Sequence, residues 1–211
     1  GHPLRRFEHD LPRLASTNVA RLVENATQSR QFGGGFEKRP PSVTLGCIVS
    51  ELRERPLKSG KGRMAIAQVE DLHGSLEVLV FSRAFDECEE ALKSDQPLLI
   101  TGNVKVEGDD PASTVVKLNA QNIQLLSKVR IDATTRVEMR IPVYAVNNDR
   151  LEGLKDILSD SLGEIPTTLT IFDPDRSETT LKLPDRLRVR PSDELITRVD
   201  NLFELSVTQF K

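Results

Sequence analysis

Aromatic residues are scarce in this chain, with eight Phe, one Tyr and no Trp among 211 residues. Any surface that stacks planar ligands must therefore be built from very few rings. The two cysteines, Cys47 and Cys88, exclude a disulfide framework, and each is expected as a small buried thiol. The three histidines, His2, His9 and His73, stand in no metal-ligand spacing with Cys or acids, so no metal and no cofactor is expected. No apolar run approaches the ~20 residues that span a bilayer. Arg5, Arg6, Glu8 and Asp10 interrupt any signal-peptide pattern, and a cytoplasmic protein without membrane contact is expected. Gly60-Lys61-Gly62 lacks the remainder of a phosphate-binding P-loop, and there is no Gly-x-Ser-x-Gly nucleophile turn. Asp109-Asp110, between Gly108 and Pro111, reads as a polar loop tip rather than an acid–base pair. No catalytic residues are expected in this chain.

What is present is charge, and it is segregated. The net charge of −3 argues against a protein that is basic overall, but steering depends on local distribution. Residues 51–63 carry Arg53, Arg55, Lys58, Lys61 and Arg63 against Glu51 and Glu54, a local +3. Residues 86–95 carry Asp86, Glu87, Glu89, Glu90 and Asp95 against Lys93, a local −4.

Apolar spacing divides the chain into three parts. Residues 1–41 are a short helical segment followed by a Gly/Pro linker. Leu4, Phe7, Leu11 and Leu14 recur at helical steps, Pro12 breaks the first helix, and Thr17 or Asn18 caps a second. Residues 42–128 hold five strand-like runs, 43–52, 63–70, 75–81, 97–106 and 114–126. A helix between the third and fourth runs starts at Ser82 as N-cap and places Phe85, Cys88 and Leu92 on one stripe. The order β-β-β-α-β-β over about 85 residues is that of the OB-fold, a five-stranded Greek-key barrel plugged by one helix. Residues 129–211 read as a small α+β domain. Its strands are expected at Ile141–Val146, Thr167–Phe172 and Glu178–Leu183, with a further one at Leu187–Val189. One helix runs from Leu151 to a stop at Gly163, and a last one opens at Ser192. The fold class is thus mostly β plus α+β.

In an OB barrel, the loop between the first two strands flanks the outer face of strands 2 and 3, the usual groove for single-stranded nucleic acid. Here that loop carries Lys58 and Lys61, with Arg53 and Arg55 on the strand feeding it and Arg63 on the strand leaving it. Period-two alternation predicts Arg53, Arg55 and Arg63 on one face, suited to phosphate oxygens. Phe81 is the one aromatic at the tip of strands 2 and 3. The acidic loop at Glu107, Asp109 and Asp110 and the shortage of rings weigh against tight autonomous binding. A second basic cluster, Arg176, Lys182, Arg186, Arg188 and Arg190, stands against Glu178 and Asp185 and reads as a solvated strand face.

These residues resemble the C-terminal part of the bacterial replicative DNA polymerase III alpha subunit. "GHPLRRFEHDL" is similar to the Ser-Gly-His-Pro-Leu segment that precedes the family's OB domain. "LGCIVSELRERPLKSGKGRMAIAQVEDLHGSLEVLVFSRAFDE" resembles its OB pattern of strand, basic Gly loop, strand ending in acids, Gly turn and strand ending in Val-Phe. Parts of that pattern are shared by the OB modules of class II aminoacyl-tRNA synthetases. "IPTTLTIF" and "RVRPSDELITRVDNLF" resemble the family's terminal domain. The resemblance implies a non-catalytic portion whose polymerase carboxylates lie upstream. It implies an OB domain near the single-stranded template, where weak binding suffices because tethering raises effective concentration. It also implies a terminal domain docking to the tau subunit of the clamp loader, with other replisome subunits nearby; the docking residues are not assigned, and the last helix is the first place to look for exposed apolar anchors. Ser206–Lys211 matches the family's clamp-like end too loosely to carry clamp binding. The alternatives on the residues alone are a free-standing OB adaptor for single strands or tRNA and a small hydrolase.

Overall fold

The computed structural model describes residues 2–31, 41–57, 62–108, 114–173 and 177–211. The chain divides into two units, Gly1–Val129 and Arg130–Lys211.

The first unit opens with a 3-10 turn, Pro3–Phe7, then α1 (Leu11–Leu14) and α2 (Val19–Gln31). Pro12 does not break a helix. It sits in the first turn of α1, where its missing N–H is not needed. The Asn18 carboxamide accepts from Arg21 N at 2.9 Å and caps α2. Five strands follow: β1 (Ser42–Pro56), β2 (Arg63–Glu70), β3 (Ser75–Val80) and, beyond α3 (Ser82–Leu92), β4 (Leu98–Glu107) and β5 (Val115–Leu125). They close a barrel in the order β1-β2-β3-β5-β4. The 15-residue β1 makes closure possible. Its first half, Ser42–Cys47, pairs with β4, and its second half, Ile48–Pro56, pairs with β2. A register shift between Val49 and Glu51 marks the bulge that bends it from one neighbour to the other. The remaining seam is a parallel pairing of β3 with β5.

Alternation sorts each strand. Ala65, Ala67 and Val69 of β2 and Leu76, Val78 and Val80 of β3 point into the core with Leu45, Cys47, Ile100 and Leu118. Phe85, Cys88 and Leu92 of α3 join them. Ser82 is not the cap of α3: the first helical bond runs from Phe85 N to the Phe81 carbonyl at 2.9 Å, so Phe81 takes the N-cap position and Ser82 is already in the helix. The described part of the N-terminal segment packs on the barrel. Val19, Leu22 and Ala26 enter its core, while Leu4 and Phe7 pack with Leu99 and Leu126 in a smaller cluster. Asp71 ties the two together. Its buried carboxylate accepts from Val19 N at 2.7 Å and, across the β2–β3 turn, from His73 N at 2.7 Å and Gly74 N at 2.9 Å.

After α4 (Leu126–Asp132), the second unit builds a four-stranded sheet. Its elements are β6 (Val137–Pro142), α5 (Asn148–Asp160), β7 (Leu162–Ile165), β8 (Thr167–Asp173), β9 (Ser177–Lys182), α6 (Asp193–Phe203) and β10 (Thr208–Phe210), with sheet order β10-β6-β8-β9. Three sequence expectations are corrected here. The strand expected at Ile141–Val146 lies earlier, because Pro142 cannot donate to a ladder and a 3-10 turn, Val143–Ala145, follows it. Gly163 is not a helix stop, since α5 ends at Asp160. Gly163 lies in β7, where a Cβ would come within 2.4 Å of Arg190 N. Leu187–Val189 is no regular strand but a 3-10 turn at Asp185–Leu187, followed by single bridges from Val189 to Leu162 and Ile165. Ser192 caps α6, accepting from Leu195 N at 3.0 Å. Leu154 and Leu158 of α5 and Leu195, Val199 and Phe203 of α6 pack with Met139, Ile141 and Leu169 of the sheet. Buried Arg130 pairs with Asp193, and its guanidinium lies 5.3 Å from the Phe210 ring centre.

Candidate nucleic-acid interface

Strand register fixes what the outer face of the barrel carries. Arg53 and Arg55 of β1 stand opposite Ile66 and Met64 of β2. Ile66 stands opposite Leu79 of β3, and Leu79 is level with Asn119 of β5. Gln68 faces Glu77, which is level with Lys117. Residues paired in this way share a face, and their inward neighbours Ala65, Ala67, Val78 and Val80 are fully buried. The outward set is therefore a strip of partly buried apolar side chains, Met64, Ile66 and Leu79, bordered by Arg53 and Arg55 on one side and by Asn119 and Lys117 on the other. Phe81 continues the outward parity of Leu79 one step beyond β3, and it is 47% exposed. It is not a core residue.

The basic residues separate into groups that the sequence did not distinguish. Lys58 and Lys61 lie outside the described residues. The ends of their loop are drawn together by Leu57 N donating to the Gly62 carbonyl at 3.1 Å, and Gly62 takes φ of 99°, a conformation that favours glycine. Arg53 and Arg55 share the outer face. Arg63 does not join them. It pairs in register with Pro56 and has the inward parity of Ala65, at the barrel end where it meets α3. There its guanidinium bridges Glu54 at 2.8 Å and Glu89 at 2.9 Å, 5.2 Å from the Phe85 ring centre. Lys93 reaches the same two carboxylates, each at 2.6 Å, and completes a ring of two cations and two anions. On the outer face, Arg53 holds Glu51 through two bonds of 2.7 and 3.0 Å. Lys117 lies 3.0 Å from both Glu77 and Glu107, and Lys105 lies 2.8 Å from Glu107. The Arg53 hydrogen bonds hold the Glu51 carboxyl below the usual range, and Lys105 and then Lys117 do the same for Glu107. Arg55 has no ion pair among the described residues. Of the acidic loop, Asp109 and Asp110 lie outside the described residues.

Sequence reasoning missed the apolar part of this face. The signal was there in Met64-Ala65-Ile66-Ala67, where residues of both parities are apolar although only one parity can point inward. His73 belongs to the Asp71 turn, and no group of three or more His, Cys, Asp or Glu suited to a metal occurs among the described residues. Cys47 and Cys88 are free and buried, as expected. In the second unit, Arg188 pairs with Asp185 at 2.8 Å and Glu178 with Arg140 at 2.8 Å, while Lys182 is exposed on β9. Arg176 lies outside the described residues. The last helix leaves no large apolar side chain exposed; the second unit exposes Val143, Tyr144, Leu162, Leu181 and Leu205 instead.

Residues 43–126 match the family described as OB-fold nucleic acid binding domain. The closed five-stranded barrel is an OB-fold. Over most of its length the chain is also similar to a segment of DNA polymerase III subunit alpha. Identity to the Pseudomonas aeruginosa protein is 25% over 96% of this chain and 16% of that protein. Identity is 30% to the Thermus aquaticus protein over 82% of this chain and 13% of that protein, and 30% to the Deinococcus radiodurans protein over 83% and 12%. The chain thus spans less than a fifth of the relatives it matches. Among solved structures, the SSB domain of a Synechococcus sp. protein aligns with 39% of this chain and 92% of its own at 14% identity and a TM-score of 0.35, too low to carry weight. Among the described residues, no helix of this chain is long and apolar enough to cross a membrane.

Proposed function

We propose that this chain is the C-terminal, non-catalytic portion of a cytoplasmic replicative DNA polymerase. Its OB domain holds single-stranded template weakly, and its second unit docks the tau subunit of the clamp loader. The observation that carries the DNA contact is the outer face of β2 and β3. An apolar strip of Met64, Ile66 and Leu79 ends at exposed Phe81, beside Arg53 and Arg55. Bases stack on such a strip while cations meet the backbone. Similarity to polymerase alpha subunits runs through both units, which favours this reading over a free-standing single-strand or tRNA adaptor.

Substitution of Phe81 tests the DNA contact. Phe81→Ala is expected to weaken binding of a single-stranded oligonucleotide and Phe81→Tyr to preserve it; equal affinities for wild type and Phe81→Ala would remove Phe81 from the interface. Tau docking is tested by gel filtration of the whole chain mixed with purified tau. Co-elution is expected, and separate elution would contradict the docking role.

A further inference from the structure

Two of the cations bordering the proposed groove, Arg53 and Lys117, are already engaged by the protein's own carboxylates, while Arg55 beside them is in no such pair among the described residues. Arg53 gives both arms of its fork to Glu51, at 2.7 and 3.0 Å, the geometry with which a guanidinium would otherwise grip a phosphate. Lys117, across the apolar strip, is held between Glu77 and Glu107, each 3.0 Å away. These carboxylates belong to the same outer face: Glu51 stands opposite Gln68, Gln68 opposite Glu77, and Glu77 level with Lys117. A cation on each side of the strip thus has its hydrogen-bonding groups occupied by carboxylates of the same face.

We infer that Glu51 masks Arg53, and Glu77 with Glu107 masks Lys117, so that a single strand must displace a carboxylate to gain a phosphate contact. This rests on the single-strand reading of the face. Exposed ion pairs of this kind are weak, and Glu51 and Arg53 side chains are 54% and 62% exposed, so displacement is feasible. Each displaced pair nevertheless offsets part of the phosphate contact that replaces it. The groove therefore grips mainly through stacking, and its affinity is set low by the chain itself. That suits a module that must let template slide past while something else keeps it nearby. Removing the mask should then increase affinity, an effect that damage to the fold would not produce.

The test is a double-mutant cycle in the whole chain, with a fluorescent oligothymidylate titrated at low and moderate salt. The four proteins are wild type, Glu51→Gln, Arg53→Gln and the double variant. Both positions are exposed, and urea unfolding checks that all four fold. Masking predicts that Arg53→Gln changes wild-type affinity by less than about twofold but costs about fivefold or more in the Glu51→Gln background, as coupled neighbours do. It also predicts that Glu51→Gln steepens the salt dependence by about 0.7, one phosphate's worth for a single strand. If Arg53→Gln costs the same in both backgrounds, Glu51 acts only as a distant negative charge and masking is overturned. If none of the four proteins binds at low salt, the single-strand reading itself falls, and masking with it.

Discussion

Phe81 caps a helix through its backbone and is proposed to stack a base through its ring. Its backbone carbonyl accepts the first bond of α3 at the N-cap position, and its ring is about half exposed. Base stacking on one ring contributes about 1–3 kcal/mol, so Phe81→Ala should weaken single-strand affinity roughly 5- to 150-fold without changing the salt slope. Asp71 is structural in the opposite sense. Its carboxylate satisfies three backbone N–H groups from α2 and the β2–β3 turn. Asp71→Ala should cost about 3 kcal/mol in urea unfolding, and Asp71→Asn less, because charge-assisted bonds to buried groups are expensive to lose. Burial pushes the Cys47 thiol far up, and burial followed by the nearby Glu87 charge pushes Cys88 to about 11. At pH 8 both thiols stay neutral, so a thiol-alkylating reagent should label neither until the chain unfolds. Rapid labelling of the native chain would contradict this packing. At this scale the sequence revealed residue types but not their partners. Arg53 and Arg63 looked equivalent, and only strand register and the position of α3 separate an outer-face cation from one bound into the ring with Glu54, Glu89 and Lys93.

Elements were legible where the period was unbroken. The five barrel strands and α3 lie where alternation and the Phe85-Cys88-Leu92 stripe put them, to within a few residues. Misplacements fell where a tertiary contact decides the local conformation. Gly163 resembles a helix stop, yet it is needed because the Val189–Arg190 backbone comes too close for a side chain. The three-residue β10 has no period to detect, and pairing with β6 alone defines it. Gly102 shows the same principle inside the barrel: at the β4–β5 register shift, a Cβ would lie 2.3 Å from the Asn119 carbonyl oxygen. Gly46 has an equally short approach, but to the terminal carbon of Leu11, which can rotate away. Gly102→Ala should therefore lower stability by about 1–3 kcal/mol, the cost of overpacking, and Gly46→Ala by less. The ring at the base of the 57–62 loop predicts a pH effect. Hydrogen bonding to Lys93 and then Arg63 holds Glu89 below its ordinary value of 4.5, so its contribution is present above that pH and is lost as pH falls through the lowered value. Lys93→Met removes a cation shared by Glu54 and Glu89. It should flatten the acid side of a plot of urea midpoint against pH.

The two units have cores with no residue in common, which leads us to expect that residues 1–132, cut after α4, fold without the rest. A cooperative urea transition of that fragment checks this. The barrel was legible as a whole because its order of elements is distinctive. The second unit was legible only as α+β, since a sheet order of β10-β6-β8-β9 depends on pairings between distant segments. The proposed binding face was half legible. The basic residues stood out in the sequence, whereas the apolar strip and the carboxylates that hold the cations emerge only with register. Whether this face takes a single strand is decided by titrating the 211-residue chain with a fluorescent single-stranded oligonucleotide at two salt concentrations, with duplex of equal length as control. Weak, salt-sensitive binding that prefers the single strand is expected. Absence of binding at low salt, or equal affinity for duplex, would contradict it.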